Sequence, residues 1–107
     1  MVNPQRGEVE GVFDGRRWTL CLTLGALAEL EAALDAGDLM GLARRFDEGK
    51  LSAGDAIRII GAGLRGAGNK IDDEAVGRMR AEGGASGFVR TVAELLAATF
   101  GSPAGDG

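Results

Sequence analysis

Over residues 6–31, RGEVEGVFDGRRWTLCLTLGALAELE, the spacing of hydrophobic positions changes once, from every second residue to about every 3.6. The alternating part is centred on Asp14-Gly15, a dipeptide that tolerates the positive φ needed in a two-residue turn between right-twisted strands. A hairpin follows, in which Phe13 pairs with Arg16, Gly11 with Trp18 and Val9 with Leu20 on one face, which Leu22 continues. Trp18 is expected to lie across the bare backbone of Gly11. Glu8, Glu10, Arg17, Thr19 and Thr23 point the other way, with Val12 and Cys21 among them. A lone two-stranded ribbon is marginal in water, so its apolar face needs a cover.

The rest of the chain reads as helices that supply that cover. Thr23 is placed to cap the first, whose stripe is Leu24, Leu27, Ala28, Leu30 and Leu34, with Gly37 as its stop. Asp38 then caps a shorter helix carrying Leu39, Leu42, Ala43 and Phe46 and ending near Gly49. Ser52-Ala53-Gly54-Asp55 has capping-box spacing and opens a third helix with Ala56, Ile57, Ile60 and Leu64 on one face, leaving Ile59 off the stripe and exposed. Ile71 and Val76 flank Asp72 as a hydrophobic staple for a short fourth helix, DDEAVGRMR, which Gly83-Gly84 ends. A fifth helix spans about Ser86 to Phe100, with Val89, Val92, Ala93, Leu96 and Phe100 as its stripe and Phe88 and Leu95 beside it.

The expected architecture is α+β: an N-terminal two-stranded antiparallel hairpin packed on a bundle of four to five short helices. A chain of 107 residues suits one domain, taken as residues 1–100, with a disordered tail over 101–107, GSPAGDG. Because 45% of residues are hydrophobic but only 5% aromatic, the core must be mostly aliphatic. A net charge of -4 argues against a nucleic-acid partner, since affinity for phosphate backbones rests on concentrated positive charge. No apolar run approaches the roughly 20 residues of a membrane span, and no signal-peptide pattern opens the chain. The expected location is the cytoplasm of the producing cell, or a particle assembled there.

Candidate chemistry is sparse. With no histidine and one cysteine, Ser-His-Asp and Cys-His catalysis have no residues to use, and metal-ligand spacing is missing. Cys21 reads as a packing residue in a strand. Gly61-Ala62-Gly63-Leu64-Arg65-Gly66 is a literal GxGxxG, but no acidic residue ending a hydrophobic strand follows about 20 positions later. A nucleotide-binding role for Gly61–Gly66 is therefore the weakest alternative. The structural reading is that these glycines end a helix or admit close neighbours, at about 0.8–1 kcal/mol each in helix propensity, so fraying or kinking over residues 61–68 is expected. The adjacent Asp72, Asp73 and Glu74 read as cap and first-turn acids that answer the helix dipole.

RGEV, the Asp-Gly hairpin, LTLGALAELE, the short helix around LARRF, and GAGLRGAG together resemble a small family encoded in gene transfer agents and related prophage tail clusters. The likeness covers about residues 3–100 and is most specific in the first third. That family is grouped with phage tail-assembly chaperones and has also been labelled a tail tube protein. The resemblance implies a non-enzymatic role in tail building without a cofactor. The partners it implies are the tape-measure protein, tail tube subunits, or both. Tubes are built from β-rich subunits, whereas this chain offers one hairpin, which favours the chaperone over a structural component of the finished tube. Such a chaperone would hold an apolar, helix-prone tape-measure segment in an exposed apolar groove, for which the hydrophobic residues outside the stripes, Met40, Ile59, Met79, Phe88 and Leu95, are the candidates.

Overall fold

The computed structural model describes residue 3, residues 7–34 and residues 39–101, the side chains of residues 39 and 40 excepted. Strands β1 (Glu8–Phe13) and β2 (Arg16–Cys21) form the hairpin, followed by helices α1 (Leu24–Ala33), α2 (Leu39–Asp47), α3 (Ala53–Gly66), α4 (Asp73–Gly77) and α5 (Ala85–Phe100). Over the described residues the chain is thus α+β, a two-stranded antiparallel hairpin with five helices. The stop at Gly37, the cap at Asp38 and the tail from residue 102 lie outside the described residues.

The strand register is the one the Asp-Gly turn dictates: Phe13 opposite Arg16, Gly11 opposite Trp18 and Val9 opposite Leu20. Asp14 and Gly15 both have positive φ, 55° and 75°, which suits the twist of the flanking strands. Asp14 is held in this conformation from outside the hairpin, because its N–H donates to the Arg80 carbonyl at 2.8 Å and its Oδ1 accepts from Arg80 N–H at 3.0 Å. The space above Gly11 is filled by the Phe13 ring, within 2.8 Å of where a methyl group would stand, and not by Trp18. Trp18 is half-buried, donates from Nε1 to the Phe13 carbonyl at 3.3 Å and carries the Arg16 guanidinium 4.4 Å above its ring.

Helix α3 is the hub, packing against β2, α1, α4 and α5. It begins with a full capping box: Asp55 N–H donates to Ser52 Oγ at 3.1 Å, and Ser52 N–H donates to Asp55 Oδ2 at 3.2 Å. It runs unbroken through Gly61 and Gly63 to Gly66, against the expected fraying, because each of these three glycines gains a close neighbour that offsets its poor propensity. A methyl group at Gly63 would stand 2.8 Å from Leu95 Cδ1, one at Gly61 would fall on Asp73 Oδ1, and one at Gly66 on the Cys21 carbonyl oxygen. The glycine motif is therefore a helix interior packed on three sides, with no loop to cradle a phosphate.

The core joins Phe13, Leu20 and Leu22 of the hairpin segment to Leu30, Leu34, Leu42, Ile59, Ile60, Leu64, Val76, Val92, Leu95 and Leu96. Three expected stripes are rotated. On α1, Leu24 is 83% exposed and Ala26 is buried in its place. On α3, Ile59 is completely buried, and on α5, Val89 is 57% exposed while Thr91 and Leu95 turn inward. Helix α4 ends at Gly77 with Arg78 as its cap, earlier than expected, and Gly83 and Gly84, with φ of 87° and 68°, instead turn the chain into α5. Between them Ala81 bridges to Phe13, and Glu82 N–H donates to the Val12 carbonyl at 3.1 Å.

Asp55, only 6% exposed, also receives Arg45 Nη2 at 2.7 Å, which fastens α2 to the start of α3. Asp55→Ala removes the carboxylate half of the capping box and the ion pair, while Ser52 Oγ still caps the backbone N–H at position 55. Arg45 is partly solvated, so the expected loss is about 2 kcal/mol, below the roughly 3–5 kcal/mol of a fully buried broken pair. Urea denaturation should show a lower midpoint with an unchanged slope.

Candidate partner-binding groove

An open groove of about 520 Å³ lies between the N-terminal halves of α3 and α5. Ala53, Ala56, Ile57 and Ile60 form one wall and Ala85, Phe88, Val89 and Val92 the other, each set repeating at helical spacing. Phe46 and Leu51, on either side of the turn after α2, and Val76 and Met79, from α4 and the segment after it, complete the lining. The lining is apolar except for Ser52. Phe88 is braced from behind, its ring stacked on Phe13 at 5.5 Å between centroids and 13° between planes.

The groove gathers Met79 and Phe88 from the residues singled out by pattern. It does not gather Ile59 and Leu95, both fully buried in the core and so unavailable as surface. Ile59 is inside because α3 is apolar over most of its circumference and covered on several sides, and Leu95 because α5 turns it onto α3 at Gly63. The side chain of Met40 lies outside what the structure describes. Pattern reasoning missed Phe46, Leu51, Ile57 and Val89. Only the tight Gly83-Gly84 turn and the Gly49 bend, which set the helix starts apart, could have hinted at an opening there.

Charged groups that might have served chemistry are tied into the scaffold. Asp72 caps α4, its Oδ1 accepting from Ala75 N–H at 2.9 Å, and Glu74 pairs with Arg78 one turn on at 3.4 Å. Asp73 Oδ1 lies 3.0 Å from Arg65 Nη2 in an ion pair. Arg65 also donates to Glu29 through Nε and Nη2 and to the Ile71 carbonyl through Nη1 at 2.9 Å, linking α1, α3 and the α4 entry. The Glu29 hydrogen bonds, with Asp73 beside them, raise the Arg65 pKa further above its ordinary value against the opposing cost of burial. The clamp therefore keeps its positive centre at any working pH. Among the described residues no group of three or more His, Cys, Asp or Glu is placed to hold a metal, and Cys21, the single cysteine of the chain, is a half-buried strand residue. Among the described residues no helix is long and apolar enough to cross a membrane.

Hairpin, helical hub and groove together define a small α+β protein whose most distinctive surface is an apolar concavity. The chain belongs to the family described as phage tail tube protein, GTA-gp10, whose family model matches residues 6–102. It is accordingly a phage or gene-transfer-agent tail protein. Comparison with curated proteins and with solved structures gave no match.

Proposed function

We propose that the protein is a non-enzymatic tail-assembly chaperone that holds an apolar helical segment of the tape-measure protein in the groove between α3 and α5. The groove itself carries the reading, since two helical walls lined by Ile57, Ile60, Phe88, Val89 and Met79 are suited to the apolar face of an amphipathic helix. The ribbon supports it from the other side. Residues 80–82 bond the outer edge of β1 around Val12 and Asp14, while Asn69 Nδ2 donates to the Thr19 carbonyl at 3.0 Å on the outer edge of β2. Both edges are thus partly occupied, which disfavours building a tube wall by adding strands to this sheet.

The alternative, a structural component of the finished tube, draws on the family's own description. The two separate on composition of the particle and on binding. Mass spectrometry of purified tails should find the chaperone absent or at trace level, whereas one copy per tube subunit would establish the structural role. In solution, tape-measure fragments should bind the wild-type chain, and Met79→Glu should weaken binding by about tenfold or more while leaving the circular dichroism spectrum unchanged. Equal affinity of the variant would remove the groove from the interaction.

A further inference from the structure

Residues 78–84 join α4 to α5 without forming a helix, and none of them is buried: Met79 and Ala81 are half-covered and the others exposed. The segment is held to the hairpin at its turn. Asp14 N–H donates to the Arg80 carbonyl at 2.8 Å, Arg80 N–H donates back to Asp14 Oδ1 at 3.0 Å, and Glu82 N–H donates to the Val12 carbonyl at 3.1 Å. At the far end Gly83 and Gly84 both have positive φ, which makes a pivot of residues free to take up a change in backbone angles. Just past the pivot, Gly87 leaves room for the segment, because a methyl group there would fall on the Glu82 carbonyl oxygen. A stretch that buries so little apolar surface and rests on a few backbone bonds belongs to the low end of local stability.

The same segment borders the groove. Met79 within it, and Val76, Gly77 and Ala85 on either side of it, all line the cavity, and Phe13, which bridges to Ala81, is the ring on which Phe88 stacks. Lifting residues 78–84 off β1 therefore shifts Met79 and frees the first turn of α5 from the hairpin, while the α3 wall stays fixed by its contacts with β2 and α1. We propose that residues 78–84 are a strap, latched by the Asp14 carboxylate, that gates the α3–α5 groove. Latched, the strap holds the α5 wall close to α3. Released, it pivots at Gly83-Gly84 and lets the groove admit a bulkier apolar occupant. The inference concerns regulation of the groove and rests on the reading of that groove as a binding site, though not on which protein fills it.

Amide hydrogen exchange and titration with the apolar dye anilinonaphthalene sulfonate test the gate on the full chain, as wild type, Asp14→Gly, Asp14→Asn and Gly87→Ala. Glycine suits the left-handed turn position but lacks the latch oxygen, asparagine keeps both, and the methyl group at position 87 pushes the strap from the α5 side. In Asp14→Gly the Arg80 and Glu82 amides should exchange about tenfold faster or more, those of Ile60 and Leu64 in α3 should keep their rate, and dye affinity should rise about threefold or more. Gly87→Ala should act in the same direction and Asp14→Asn should match the wild type. Adding Val89→Asp to Asp14→Gly should cancel the gain in dye affinity, since Val89 lines the groove. Unchanged exchange at Arg80 and Glu82 in Asp14→Gly overturns the latch, as does an Asp14→Asn variant that behaves like the glycine one. Equal acceleration in α3 would make the strap part of the core, and faster strap exchange with unchanged dye affinity would remove the gate. If the dye results hold while tape-measure fragments bind none of these chains, the gate stands and the chaperone reading falls; fragments that bind while the strap leaves the dye unaffected give the reverse.

Discussion

Gly66→Ala is expected to lower the stability of this protein by about 2–3 kcal/mol, although helix propensity alone favours alanine by about 1 kcal/mol. Two effects of opposite sign meet at this position, and packing wins. The added methyl group falls on the carbonyl oxygen of Cys21, a backbone atom that cannot swing aside, and stands 3.3 Å from Ala26 Cβ. Relief requires α3 to move away from β2 and α1 together, opening the contact that covers Leu20. Gly54→Ala is the matched control, made in the same helix. There the methyl group meets only Ser52 Oγ at 3.7 Å and Arg58 Nη1 at 3.8 Å, so the substitution should be neutral or stabilising by up to about 1 kcal/mol. The urea midpoint should fall for Gly66→Ala and stay level or rise for Gly54→Ala. Equal shifts would mean that α3 has room at Gly66 and that its glycines are not a packing device.

The same glycines show where sequence reasoning reached and where it stopped. Signals encoded by a residue and its near neighbours were legible: the Asp14-Gly15 turn set the strand register, and Thr23, Ser52 and Asp72 each cap the helix they precede. Signals that depend on a distant partner were not. Ala26 displaces Leu24 from the core because α1 crosses α3 at Gly66, where only a small side chain fits. Residues 80–82 extend the ribbon although RAEGG has no strand pattern, because the unpaired edge of β1 needed partners for Val12 and Asp14. The groove was the least legible feature. Met79 and Phe88 were singled out as unplaced hydrophobic residues, but the opening they border is a gap between helix ends, and no local pattern records a gap.

Ile59→Asp is expected to abolish folding, whereas Val89→Asp, the same kind of change on a residue the sequence pattern had assigned to the core, should cost no more than about 1 kcal/mol. Ile59 has no exposed surface and sits within the α3 core. A carboxylate there loses the transfer energy of the side chain and must either stay charged without water or take up a proton. Either route costs several kcal/mol against a total stability of about 5–15 kcal/mol for a domain of this size. The graded substitutions Ile59→Val and Ile59→Ala should cost about 0.5–1.5 and 2–5 kcal/mol, tying the loss to the missing volume. Val89, 57% exposed at the groove, keeps its carboxylate in water in the isolated chain. Soluble expression with native circular dichroism is therefore expected for Val89→Asp and not for Ile59→Asp. If Ile59→Asp folded with a native spectrum, that position would belong to the surface and the rotation of the α3 stripe described above would be wrong. The contrast also fixes how the groove can be probed: charge placed at Val89 or Met79 reports on binding, while charge placed at Ile59 or Leu95 reports only on the integrity of the core that holds the groove's walls apart.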